Sequence, residues 1–123
     1  MQWIAKNPGS FAGKVVGSGQ CVDYVRQATG APHTSNWKKG DQTRSIWPSG
    51  LAIATFNTNG KYANAIDGSS HTAILISVLI EGLRVWDQWV GHPVAQRTIR
   101  FKSGVGLPCD DGDRYYAVET ADA

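Results

Sequence analysis

Apolar residues recur along this chain with two periods. Cys21, Tyr24, Val25 and Ala28 fall at i, i+3, i+4 and i+7, the spacing of one helix face. Gly17-Ser18-Gly19 precedes them, and Gly30 and Pro32 follow. Ser18 reads as an N-cap and Gly30 as the residue just past the C-terminus. The pattern therefore predicts a helix that starts near Gln20 and Cys21 and ends at Thr29. Upstream, residues 1–16 leave room for a short helix, with a turn at Asn7-Pro8-Gly9-Ser10.

Downstream the period shortens to that of strands. Leu51-Ala52-Ile53-Ala54-Thr55-Phe56 is the first. His71 to Ile80 is almost continuously apolar and β-branched, as a central strand is. Glu81-Gly82 predicts a tight turn, with Leu83 to Val90 as the hairpin partner. Gln96 to Phe101 and Arg114 to Glu119 complete the set. Asn57 to Gly60 and Asp67 to Ser70 read as turns. Residues 31–49 hold Pro32, Gly40 and Pro48 and no sustained period, so they read as a long loop with one helical turn. Helical elements followed by strands predict an α+β fold: N-terminal helices on a mainly antiparallel sheet of about five strands. No repeat or linker divides residues 1–123, which read as a single domain.

Composition narrows the class. With 41% hydrophobic and 18% charged residues, the chain can bury a core without staples. No apolar run approaches the ~18 residues that cross a bilayer. Met1 to Pro8 lacks the apolar core of a signal peptide, so the expectation is synthesis without standard export. A net charge of +2, with Lys38-Lys39 as the one basic cluster, argues against nucleic acid as a partner. Cys21 and Cys109 belong to no C-x-x-C pair, which argues against a structural zinc. Cys109-Asp110-Asp111-Gly112-Asp113 lacks the distal glutamate of a calcium loop and reads as a polar turn. No metal or other cofactor is expected.

Three residues then stand out. A cysteine in the first turn of a helix meets unpaired backbone N–H groups and the positive end of the helix dipole. Both favour the thiolate, so Cys21 is a candidate nucleophile; a small core cysteine is the plainer alternative. His71 opens the central strand after a Gly-Ser-Ser turn, where its backbone is held and its ring can titrate. It is the candidate base; His33 and His92 lie in loop and turn sequence. Asp87 is the candidate orienter of the imidazole, with Gln88 as its substitute. A simple two-residue turn sets Ile80 against Leu83 and Asp87 against Ile76, too far from His71 for contact, so a bulge or another pairing is needed. The Cys21 backbone N–H and the Gln20 side chain could stabilise an oxyanion. Trp37, Trp47 and Trp89 could wall a substrate cleft or fill the core.

Gly19-Gln20-Cys21-Val22-x-Tyr24-Val25, followed by Ser70-His71-Thr72-Ala73-Ile74-Leu75, resembles the NlpC/P60 and CHAP group of papain-like peptidoglycan amidases. In that group a cysteine starts a helix, a histidine opens a strand and a third polar residue lies on the next strand. The chain is similar, more closely, to the small papain-like amidase effectors of type VI secretion systems. Trp37-Lys38-Lys39-Gly40, Ala52-Ile53-Ala54-Thr55-Phe56 and Val85-Trp86-Asp87-Gln88-Trp89 extend that likeness across residues 17–89. The resemblance implies an antibacterial effector passed through a secretion tube into a rival's periplasm. There it would cut the murein peptide at the D-Ala–diaminopimelate cross-link or the D-Glu–diaminopimelate bond. A cognate immunity protein and a tube component would be its partners. The competing reading is a non-catalytic cell-wall or protein-binding module with a tryptophan-lined groove, Cys21 being a core residue or bridged to Cys109.

Overall fold

In the computed structural model, which describes residues 1–43, 47–65 and 67–121, the predicted helix forms as α1, Cys21–Thr29. Its apolar face buries Val22, Tyr24 and Val25, with Cys21 and Ala28 half-buried beside them. Gly30 closes the helix in the left-handed conformation (φ 81°), its N–H donating to the Arg26 carbonyl at 2.8 Å. The N-terminus differs from the expectation. Gln20, not Ser18, is the N-cap residue, and its side chain makes no capping bond. Asp23 instead reaches back, its Oδ2 accepting from the Ser18 N–H at 2.7 Å and the Ser18 hydroxyl at 2.5 Å. These bonds hold the Asp23 carboxyl below its usual range. They also explain Gly17: with φ at 58°, a Cβ there would stand 2.6 Å from the same oxygen.

Six strands form one antiparallel sheet, where the sequence suggests about five. They are β1 (Lys38–Gln42), β2 (Ala52–Thr55), β3 (Thr72–Val78), β4 (Gly82–Trp89), β5 (His92–Arg100) and β6 (Tyr115–Glu119). Their order across the sheet is β1-β6-β2-β3-β4-β5. β1 lies in the stretch read as a loop, of which positions 44–46 lie outside the described residues. An edge strand of Lys, Lys, Gly, Asp and Gln has no buried face and hence no apolar alternation. Gly40 lets it approach β6, because a Cβ there would meet the Ala117 carbonyl oxygen at 2.6 Å. The short N-terminal helix does not form. Gln2 and Ile4 instead bridge to Glu119 and Leu51, and only Pro8–Phe11 winds into a 3₁₀ turn. Among the described residues α1 is the single α-helix, not one of several.

Alternation along the strands divides the core between the two faces of the sheet. Ala52, Ala54, Ile74 and Val118 pack under α1. Leu51, Ile53, Ala73, Leu75, Val85, Ile99 and Tyr115 form a second cluster on the opposite face. The β3–β4 hairpin turns one residue earlier than the simple register, the Leu79 N–H donating to the Gly82 carbonyl at 2.7 Å, and it is less regular. Val78 pairs with Leu83 and Ser77 with Arg84, but Leu75 then pairs with Val85 and Ile74 with Trp86. Ile76 is the extra residue of a bulge. Carried one step on, this register sets Asp87 against Ala73, on the strand side shared by His71.

Gln88, next along β4, faces the other way and is fully buried. Its Oε1 accepts from the Val16 N–H at 2.9 Å, and its Nε2 donates to the Val16 and Gln20 carbonyls at 2.8 Å each. One amide thus ties β4 to the segment that leads into α1. Gln88→Ala leaves the buried Val16 N–H without this partner and takes one bond from each of two carbonyls, which keep those from the Gly19 and Asp23 N–H groups. We expect a loss of about 2–4 kcal/mol, seen as a lower denaturation midpoint with an unchanged slope. An unchanged midpoint would show that the tie does not support the fold.

Candidate active site

The elements converge where α1 begins and β3 starts. Cys21 is the first residue of α1 and His71 directly precedes β3. His71 is 6% exposed, and its Nε2 meets Asp87 Oδ2 at 2.8 Å. With Nε2 so engaged, Nδ1 is the nitrogen left for Cys21, and the thiol lies in hydrogen-bonding and charge contact with the ring. The simple hairpin register is the expectation that fails here. The Ile76 bulge changes the side on which Asp87 emerges, because a one-residue slip turns every following side chain over.

The electrostatics favour an ion pair. Burial opposes the Cys21 thiolate, but the hydrogen bond and charge of His71, the Thr72 backbone N–H and the Tyr62 hydroxyl hold the thiol below its ordinary value. Burial likewise opposes a charged His71. Its bonds to Asp87 and Cys21, with their negative charges, nevertheless hold the imidazole up at about 9. The two shifts together favour the thiolate–imidazolium form of the pair.

Two participants carry no local sequence signal. The Tyr62 hydroxyl lies 3.7 Å from the Cys21 sulfur, and burial keeps that phenol neutral by pushing its pKa well up. Tyr62 sits in a connecting segment, where no period identifies it. Arg97 donates from Nε to Asp87 Oδ2 at 2.7 Å, and its guanidinium lies 5.0 Å from the Trp89 ring centroid. The alternation of β5 could have placed Arg97 on one face, but only the pairing of Val85 with Arg97 brings it diagonally to Asp87.

These groups open on a cleft of about 470 Å³ whose walls include Gln20, Cys21, Tyr62, His71, Trp89 and Arg97. Gln20 lines the cleft beside Cys21. Gln88 does not: its amide is spent on Val16 and Gln20 and points away from His71. Trp37 is also misplaced by that reading. It is 2% exposed, donates its indole N–H to the Pro32 carbonyl at 3.0 Å, and packs on Tyr62 with centroids 5.1 Å apart. An indole suits a groove and a core alike, and here the core takes it. Trp47 donates to the Gln42 carbonyl and packs on the far cluster, so of the three tryptophans only Trp89 lines the cleft.

The other histidines lie apart from the thiol. His33 accepts from the Ser35 N–H at 3.1 Å and caps the Thr34–Asn36 turn, and His92 stacks on Trp89 with centroids 3.9 Å apart. Cys21 and Cys109 are both free thiols. In the Asp-rich turn, Asp111 is fully buried and accepts from the backbone N–H groups of Lys102, Gly104 and Asp113. It orders a loop. Among the described residues, no group of three or more His, Cys, Asp or Glu side chains could hold a metal ion.

The chain is similar to known proteins across nearly its whole length. It is 34% identical to "Domesticated amidase effector 2" of Ixodes scapularis, a match that spans 92% of this chain and 82% of that protein. Its fold matches the solved structure of "Type 6 secretion amidase effector 2 (Tae2)" with a TM-score of 0.80 and 25% identity, over 98% of this chain and 96% of that one. Residues 1–118 match the family described as domesticated amidase effector 2, and the chain belongs to that family.

Proposed function

We propose that this protein is a papain-like cysteine amidase of the NlpC/P60 type that hydrolyses a peptide bond of peptidoglycan. The observation that carries the reading is the contact of a helix-start thiol with a buried histidine whose far nitrogen is held by a buried carboxylate. The thiolate of Cys21 attacks the amide carbon. The resulting oxyanion faces the Cys21 backbone N–H, which opens the helix and has no partner within it, and the Gln20 side chain on the same wall. His71 gives its proton to the departing nitrogen, which leaves as an amine, and a thioester remains on Cys21. Neutral His71 then takes a proton from water, whose oxygen attacks the thioester and releases the acid, leaving the Cys21 thiolate beside the imidazolium. Asp87 keeps the ring in place and stabilises its cationic form throughout.

The D-Ala–diaminopimelate cross-link is the favoured substrate, with the D-Glu–diaminopimelate bond as the alternative. Likeness to a type 6 secretion amidase effector supports delivery through a secretion tube, action in the target periplasm and a cognate immunity protein in the producer. A non-catalytic module with a tryptophan-lined groove is the weaker reading, since only one of the candidate tryptophans borders the cleft. Digestion of purified sacculi, with the released fragments weighed by mass spectrometry, tests both the activity and the bond.

Cys21→Ala and His71→Ala should each lower the rate on sacculi by about a thousandfold or more and leave the folded spectrum unchanged. His33→Ala and His92→Ala should retain activity. Appreciable turnover by Cys21→Ala would remove the mechanism, and a dispensable His71 would remove the assignment of the base.

The pH dependence follows from the two shifts. The thiol is held low, so Cys21 should alkylate rapidly with iodoacetamide below pH 7. The imidazole is held at about 9, so activity should fall on the alkaline side as His71 loses the proton it must donate. Asp87→Asn removes the negative charge that supports the imidazolium. The alkaline limb should then move to lower pH and the rate should drop by about a hundredfold or more. An alkaline limb that stays in place in Asp87→Asn would exclude that role.

A further inference from the structure

Arg97 is more than a brace for Asp87. Among the described residues only its Nε is engaged, by Asp87 Oδ2 at 2.7 Å. Its side chain is 27% exposed and lines the cleft with Trp89 beneath the guanidinium. A guanidinium offers five N–H donors in a planar fork, so the terminal nitrogens remain to receive an anion, for which a carboxylate is the matching shape. Asp110 also lines this wall, without forming an ion pair with Arg97.

Position indicates which carboxylate. The acyl half of the substrate lies toward the α1 N-terminus, where the oxyanion forms, and the departing nitrogen lies toward His71, which protonates it. Arg97 stands on the Asp87 side of His71, sharing Oδ2 with it. Any carboxylate it reads is therefore on the residue that carries the leaving nitrogen. At the D-Ala cross-link, the diaminopimelate carbon bearing that nitrogen also bears a free carboxylate. At the D-Glu bond, the free carboxylate belongs to the acyl half, and the corresponding diaminopimelate carboxyl is used in the next peptide bond.

We propose that Arg97 is a specificity-determining residue whose terminal guanidinium nitrogens bind the free carboxylate beside the leaving nitrogen, selecting the cross-link over the stem bond. This rests on the amidase reading. It also gives a bacterium that amidates this carboxyl a poorer substrate for the enzyme.

The test uses two cross-linked muropeptide dimers that differ only in whether the junction carboxyl is free or amidated. Titration calorimetry with Cys21→Ser protein should show about ten- to a hundredfold tighter binding of the free form. Adding Arg97→Gln should level the two. Loss of a brace alone would weaken both dimers equally and leave their ratio intact, which would overturn the proposal. The kcat/KM of the unaltered enzyme on the same pair needs no Arg97 variant. Equal values on both dimers overturn the proposal and leave the amidase reading standing. Selective, Arg97-dependent binding without cleavage by the unaltered enzyme keeps the carboxylate site and removes the amidase reading. Failure of Cys21→Ser to bind either dimer overturns the proposal.

Discussion

A carboxylate with no exposure to water sits at the centre of this protein. Taking such a charge out of water costs several kcal/mol unless close partners compensate it. Asp87 has two, His71 and Arg97, both on the same oxygen, while its Oδ1 has no hydrogen-bond partner among the described residues. The consequence runs outward in both directions. In its ionised form the line from Cys21 to Arg97 alternates thiolate, imidazolium, carboxylate and guanidinium, and its net charge is then zero. Each member stabilises the charged form of its neighbour, against the burial that opposes it at Cys21, His71 and Arg97.

The backbone makes that line possible by an irregularity. A regular β3–β4 ladder continued from the Val78–Leu83 pair would direct Asp87 to the face that α1 covers. The Ile76 bulge reverses the parity, so that Asp87 shares a side with His71 and Arg97 while Gln88 turns toward α1. Bulges beside active sites re-aim side chains in this way. The neighbouring strand contributes through its ordinary pairing, since Val85 opposite Arg97 sets that side chain one diagonal from Asp87.

What could be read from the sequence follows the range of the interactions. Cys21 and His71 are marked by their neighbours: a glycine-serine approach with an amphipathic run behind one, a small-residue turn with an apolar strand behind the other. Their setting on α1 and β3 depends on local pattern and was legible for that reason. Asp87 was legible as a residue type but not as a position, because its aim is set by a bulge that no local period encodes. Tyr62 and Arg97 act through contacts between distant segments, and nothing around either announces it. β1 escaped for the opposite reason: an exposed polar edge strand has no core to imprint a pattern on it. The short N-terminal helix failed because Gln2 and Ile4 find strand partners at Glu119 and Leu51, a tertiary gain that outweighs weak local propensity.

The adjacent residues Asp87 and Gln88 together set the site's geometry. One holds the His71 ring, the other holds the chain that leads into Cys21, and they leave β4 on opposite sides of a single pleat. The separation between the two halves of the site is thus a property of one peptide unit. It cannot drift by small repacking, because the alternatives along a strand are discrete. Evolution can reshape the cleft's loops gradually, but within the β3–β4 ladder the allowed steps are whole residues, and an odd number of them exchanges the two halves.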